Sequence, residues 1–403
     1  MTTLPSVLAA LPPDPRVVVA GNFATPWRLL GEIDAALASY RLWMLNAQPG
    51  IPTREGVTLE TPFVGAGMRK QPGLRYFPAR LSVVPRLFEV SCPPDLVVLH
   101  VAPPRDGMVS LGTEVNVLPA AIEQVRRRGG AVIAQVNPQM PYTYGDALVP
   151  RSEIDLLVED DTPLPVPPVV EVGESAARIG DLVARRVQDG ATLQAGIGAI
   201  PDAALAGLRD RRGLGVWTEM FSDRVLELEL LGALDVERPI VSSFVFGSAE
   251  LYAWLDGNER VIMRRTEVTN TPARIAANPQ MTSINSALQV DLFGQANASR
   301  IRARIHSGFG GQTDFIVGAL HSAGGQAMIA LRSWHPKAQV STIVPLVDEP
   351  VTSFQMHAVI TENGAAEMFG HDERSQARHL IEHAAHPDVR EELWEEAHHL
   401  GLA

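Results

Sequence analysis

One cysteine, Cys92, occurs in 403 residues, so no disulfide can form within the chain. That composition fits a reducing compartment. Cys92 stands in Cys92-Pro93-Pro94 with no activating neighbour in sequence, so a loop closure is expected there and not a reactive thiol. The chain also lacks any run of eighteen uncharged apolar residues, which argues against a membrane-spanning helix. Its opening, Met1-Thr2-Thr3-Leu4-Pro5, has neither a basic segment nor a long apolar one, so no secretory leader is expected and a cytoplasmic enzyme is the default. Positive charge is short as well. A net charge of −12 argues against non-specific binding to nucleic acid or anionic membrane. It leaves room for an anionic small molecule, because a helix N-terminus can bind phosphate on an acidic protein. No H-E-x-x-H, Walker A or G-x-S-x-G motif is present, which weakens metalloprotease, P-loop and α/β-hydrolase readings. Heptads, low-complexity tracts and fixed-period repeats are missing too.

What is present suits a soluble globular protein with a large core: 46% hydrophobic residues, 20% charged, and a mean hydropathy of +0.04. Short apolar runs alternate with helical patterns. Residues 16–22 read as a buried strand, and 26–37 as a helix with Thr25 as N-cap and Pro26 in its first position. Residues 95–101 form another buried strand, 118–128 an amphipathic helix and 130–137 a further strand, the βαβ signature of a parallel sheet. An acidic, proline-rich stretch at 159–168 reads as an interdomain linker. After it the alternation restarts, with a helix over 174–188, a strand over 191–196 and a helix from Pro201 to Leu208. The expected fold class is α/β, with two similar open α/β domains built on mainly parallel sheets, over residues 1–165 and 166–403.

Three segments could carry chemistry. Glu219 follows the strand-like Leu214-Gly215-Val216-Trp217 and precedes a helix at 224–231 that Ser222 or Asp223 caps. That puts a carboxylate at the carboxyl end of a strand, where α/β sheets place ligands. A glutamate paired with an arginine or serving a helix N-terminus fits the same spacing. Gly308, Gly310 and Gly311 crowd one turn before Gln312-Thr313-Asp314-Phe315, and Gly196-Ile197-Gly198 joins a strand to a helix. Either turn can expose backbone N–H groups to a ligand, and either can be a plain loop needing glycine. The spacing of the second is not G-x-G-x-x-G, so a dinucleotide fingerprint fails. A placed carboxylate together with glycine-built oxyanion donors suits acyl chemistry through a carboxylate nucleophile. His379, His383 and His386 invite a metal reading, but His386 precedes Pro387, and Arg378 and Glu382 mark the segment as solvated, so no metal is expected.

These segments, in this order, resemble the acetyl-CoA hydrolase/transferase family. The likeness runs nearly end to end. It includes Phe63-Val64-Gly65, Ser110-Leu111-Gly112, Val136-Asn137-Pro138-Gln139-Met140-Pro141 and Gln194-Ala195-Gly196-Ile197-Gly198-Ala199-Ile200-Pro201. Its most specific stretches are Thr218-Glu219-Met220-Phe221-Ser222-Asp223, Ser283-Ile284-Asn285-Ser286-Ala287-Leu288, Gly308 through Phe315, and Thr361-Glu362-Asn363-Gly364.

The resemblance implies two similar open α/β domains and a ping-pong reaction through a glutamyl-CoA thioester, with Glu219 as nucleophile. It implies an acyl-CoA and a small carboxylate as substrates, coenzyme A as a substrate and not a tightly bound cofactor, and a homodimer. Gly196, Gly198, Gly310 and Gly311 become candidates for the oxyanion and acyl site. Asn285, Gly308, Gly310, Gly311, Glu362, Asn363 and Gly364 become candidates for CoA binding. A thioester hydrolase and a non-catalytic acyl-CoA binder are the alternatives on the same fold. Gln135, Asn363 and Phe309 depart from the family's usual pattern, which leaves the acyl preference open, and the short lead before the first strand leaves open the first domain's edge and the dimer contact.

Overall fold

Runs of branched apolar residues become strands buried on both faces, as parallel sheets covered by helices require. In the computed structural model, which describes residues 2–168, 172–196 and 198–403, the chain forms two compact units. The first comprises Met1–Pro167, Pro239–Thr269 and Gly308–Gly310; the second comprises Pro168–Arg238, Asn270–Ser307 and Gly311–Ala403.

The main sheet of the first unit has seven strands: β1 (Arg16–Val19), β2 (Tyr40–Trp43), β3 (Val57–Thr61), β4 (Arg75–Tyr76), β5 (Leu96–Val101), β6 (Ala131–Val136) and β7 (Leu156–Glu159). They lie in the order β7-β6-β5-β1-β2-β3-β4, all parallel. Every side chain of β1 and β5 is buried. The guanidinium of Arg16, at the start of β1, forks onto Glu60 in β3, with Nε 2.6 Å from Oε2 and both side chains almost fully enclosed. Cys92 is buried between a helix and β5, and that burial pushes its thiol up, away from nucleophilic use.

The second unit carries β8 (Thr192–Ala195), β9 (Gly215–Trp217), β10 (Met281–Asn285), β11 (Gln326–Ala330), β12 (Ala358–Thr361) and β13 (Gly364–Glu367). Their order is β13-β12-β11-β10-β8-β9, parallel except for the final hairpin of β12 with β13. Alternation along β10 sorts the two faces. Ile284 packs with Met328, Ala330, Ile179, Val183 and Ala204, under α1 (Glu174–Ala184) and α2 (Ala199–Ala206). Met281 packs on the opposite face with Phe315, Ile316 and Ile329, under α4 (Gln312–His321), while α3 (Asp223–Leu230) follows the β9 segment.

Boundaries differ from the sequence reading where proline chemistry is permissive. Pro201 is the third residue of α2, not the first, because none of the first-turn N–H groups has a partner within the helix. The helix expected over 26–37 runs over Trp27–Ala36 with Pro26 as its N-cap, so Thr25 lies outside it. The helix expected over 174–188 ends at Ala184, and the one after Glu219 begins at Asp223 with Ser222 as N-cap. No helix among the described residues is long and apolar enough to cross a membrane.

Candidate active site

β9 ends at Trp217, and Glu219 sits in the bend that follows. Thr218, buried beside it, donates its hydroxyl to the Met220 carbonyl at 2.8 Å and ties that bend. Three parts of the second unit meet at the Glu219 carboxylate. Asn270 Nδ2 donates to Oε2 at 2.9 Å, and the Gly311 N–H donates to the same carboxylate from the N-terminal end of α4. Asp314, fully buried in the first turn of α4, adds a like charge nearby.

Glu219 keeps part of its surface accessible, yet it is closely surrounded by protein. Burial is the largest influence and pushes its pKa up to about 7. The Asn270 hydrogen bond opposes that, Asp314 adds to it, and the Gly311 N–H opposes it again. A carboxylate poised there is more basic, and so a better nucleophile, than one in water, while two N–H donors still hold its charge.

Gly311 has an ordinary helical backbone, φ −98° and ψ 0°, so its need for glycine is spatial. A Cβ at this position would fall on Glu219 Oε2 and Asn270 Nδ2. Gly308 and Gly310 belong to the first unit. Their φ values are +152° and +55°, they lie against Pro62 and Phe63, and the Gly310 carbonyl accepts from Leu81 N–H at 2.9 Å. The Gly196 N–H donates to the Ile284 carbonyl at 3.3 Å, and Gly198, with φ +118°, is the N-cap of α2. Ile197 lies outside the described residues.

β10, β8 and β9 are neighbours, so Asn285, Gly196 and Glu219 emerge side by side at their carboxyl ends. Gln312 links this edge to α4 by donating to the Ser286 carbonyl at 3.0 Å. Glu362, Asn363 and Gly364 lie further off, in the hairpin turn between β12 and β13, four strand spacings from β9 and so on the order of 20 Å across the sheet. Glu362 accepts from the Ser333 N–H and hydroxyl at 3.0 and 2.7 Å, and Asn363 Nδ2 donates to the Ala385 carbonyl at 3.1 Å. Gly364 adopts φ +151°, with the His383 carbonyl where a side chain would start. Of the three histidines, His379 and His383 have ring centres 6.0 Å apart, and His379 Nδ1 lies 2.7 Å from the Glu367 carbonyl oxygen.

Residues 25–171 match the acetyl-CoA hydrolase/transferase N-terminal domain, and residues 247–397 match the C-terminal domain. The chain belongs to the acetyl-CoA hydrolase/transferase family. Succinyl-CoA:acetate/propanoyl-CoA:succinate CoA transferase of Fasciola hepatica is 38% identical to it, over 94% of this chain and 83% of its own. The 4-hydroxybutyrate coenzyme A transferase of Clostridium kluyveri is 39% identical over 80% and 76%. Among solved structures, RipA from Yersinia pestis superposes with a TM-score of 0.92 at 29% identity, covering all of this chain and 98% of that one. The 4-hydroxybutyrate CoA-transferase of Porphyromonas gingivalis gives 0.82 at 30% identity, covering 98% and 96%.

In this acetyl-CoA hydrolase/transferase, Asn270 is a polar contact of Glu219 that the sequence did not single out. Asn270 stands in Thr269-Asn270-Thr271, without glycine, charge or recognisable spacing, and only the fold brings it to Glu219. Asp314 lay inside a segment singled out for its glycines, but its approach to Glu219 depends on how α4 is seated.

Proposed function

We propose that this chain is a CoA-transferase that moves CoA between a short-chain acyl-CoA and a free carboxylate, with Glu219 as nucleophile. The observation that carries this reading is the Glu219 carboxylate itself, held by Asn270 Nδ2 and the Gly311 N–H and pushed up to about 7 by burial. In the first step Glu219 attacks the thioester carbonyl, and a mixed anhydride forms as CoA leaves as the thiolate. The thiolate then attacks the glutamyl carbonyl, releasing the first carboxylate and leaving CoA as a thioester on Glu219. An incoming carboxylate attacks that thioester to form a new anhydride, and the thiolate collects the new acyl group. Thioester energy is conserved throughout, so the cycle calls for neither ATP nor metal.

In the two middle steps the tetrahedral carbon is the Glu219 carboxyl carbon. With Oε1 as the attacking oxygen, the one that takes up negative charge is Oε2, which Asn270 already holds, and the Gly311 N–H donates to the same carboxyl group, so the donors are in place before charge develops. The Gly310 N–H and the Gly196–Gly198 turn are our candidates for the oxyanion on the acyl side. Asn285, the Gly308–Gly311 turn and Glu362-Asn363-Gly364 are our candidates along the bound CoA. Relatives named as CoA-transferases reach 38–39% identity, whereas relatives named as acetyl-CoA hydrolases are 27% identical over 83% of this chain and 31% over 49% of it, which favours transfer over hydrolysis. We further take the working form to be a cytoplasmic homodimer, for which sedimentation at twice the 43.6 kDa chain mass is the check.

Intact-protein mass spectrometry after incubation with acetyl-CoA tests the chemistry. A CoA adduct is expected, lost on borohydride treatment with the reduction mapping to Glu219, and discharged by acetate, succinate or 4-hydroxybutyrate. Turnover without any carboxylate acceptor identifies a hydrolase, and binding without an adduct from any donor sinks the nucleophile assignment.

A further inference from the structure

Strand interiors rarely spend buried positions on polar side chains unless these satisfy one another. On the strands next to the Glu219 segment the second unit does so at two buried positions on one face, with a third, half-buried amide beside them. Gln194 on β8 and Ser283 on β10 are register neighbours, 4% and 0% exposed, and Asn285 lies two residues further along β10 on the same side. Ser283 Oγ donates to Gln194 Oε1 at 2.8 Å. Asn285 Nδ2 donates to Gln194 Oε1 at 3.1 Å and to Ser283 Oγ at 2.7 Å. These bonds engage both hydrogens of the Asn285 amide and fix which way it points. Among the described residues its oxygen accepts one long hydrogen bond, from Gln194 Nε2 at 3.5 Å, and Asn285 is the one member of the three with substantial accessible surface. The cluster therefore presents one oriented acceptor, built to receive an N–H.

Topology says where that acceptor faces. From β8 the sheet grows to one side through β9 and to the other through β10, β11 and β12. The crevice at such a reversal, outside the carboxyl ends of the strands, is where open α/β sheets take ligands. Ser283 alternates with Ile284, which packs under α1 and α2, so the cluster lies on the face that α4 covers, and α4 is the helix whose N-cap, Gly311, donates its N–H to Glu219. Asn285 ends β10 and Glu219 follows the end of β9 by two residues, and those strands lie two spacings apart, about 9–10 Å.

We propose that Gln194 and Ser283 are positioning residues that lock Asn285 as the reader of an amide in the pantetheine arm of CoA. The proposal rests on the CoA-transferase reading. The arm carries two secondary amides. The nearer nitrogen is two carbons from the thioester sulfur, and the further one lies about 8–9 Å away in an extended arm, by ordinary bond lengths. The strand spacing selects the further amide. Reading it holds the thioester carbonyl at Glu219, so energy from a remote contact is realised at the reacting centre.

The test compares kcat/KM for acetyl-CoA, acetyl-pantetheine and S-acetyl-N-acetylcysteamine, which lacks the further amide. In the native enzyme acetyl-pantetheine outperforms the truncated thioester at least tenfold. In Gln194→Leu and Ser283→Ala that ratio collapses toward one, through loss on acetyl-pantetheine and acetyl-CoA together, with kcat and KM resolved separately. Ser283→Ala is the milder change and carries the test if Gln194→Leu folds poorly. Equal losses on all three thioesters, loss on acetyl-CoA alone, or a native enzyme indifferent to the further amide overturns the proposal. Absence of any CoA adduct on Glu219 in the native enzyme overturns the functional reading instead, so the two failures are distinguishable.

Discussion

A carboxylate near neutrality makes the reaction rate report directly on its own titration. With Glu219 pushed up to about 7, kcat/KM is expected to climb roughly tenfold per pH unit below that value and to level off above it. Asp314 raises Glu219 by charge, so Asp314→Asn should carry the midpoint toward lower pH while the plateau survives. A midpoint that stays in place in the variant shows that Asp314 does not act on Glu219. At this scale the sequence was readable where chemistry is local. Its placement after a strand and before a capped helix made Glu219 a candidate, and the motif around it, Thr218-Glu219-Met220-Phe221-Ser222-Asp223, by its resemblance to the family, marked it as the nucleophile candidate. Asn270 did not, because a neutral amide between two threonines has no local signature, and its role comes from a partner 51 residues away.

Elements decide how close the donors come. The α4 N-terminus reaches the carboxylate only because position 311 has no side chain. Gly311→Ala is therefore expected to lower kcat by about a hundredfold, the cost of displacing a reacting group by about an ångström. Its secondary structure should be unchanged, since the backbone angles at 311 suit alanine. Circular dichroism alongside steady-state kinetics checks both halves, and near-native kcat would show that the α4 contact is not needed. The element pattern itself was legible from periodicity, with strands at 96–101, 131–136 and 192–195 falling inside the expected runs. Helix starts were less so. Any of the first three positions tolerates proline, so Pro201 marked a first turn and not a first residue.

For the whole molecule, Glu219 is a cost. Its folded pKa of about 7 lies above the 4.5 of an ordinary glutamate, so between those values the folded state holds a proton that the unfolded chain has released. Stability therefore falls as pH rises from about 4.5 to about 7, and the full penalty, on the order of 3 kcal/mol, persists above that. Glu219→Gln should unfold at a higher temperature than the native enzyme at pH 8. The gap should close near pH 4.5, and transfer activity should drop below about one per cent. A gap that does not change with pH would contradict the raised pKa.

By itself the sequence determined the α/β class, the strand and helix alternation and the family, because hydrophobic period, glycine turns and motif order are properties of neighbouring residues. It also singled out Glu219. The tertiary structure alone decided that residues 239–269 and 308–310 join the first unit, that Asn270 and the α4 N-terminus close on Glu219, and that Gln194, Ser283 and Asn285 satisfy one another. Each of these depends on strand order and helix seating, which bring together groups dozens of residues apart, and no local pattern encodes that distance.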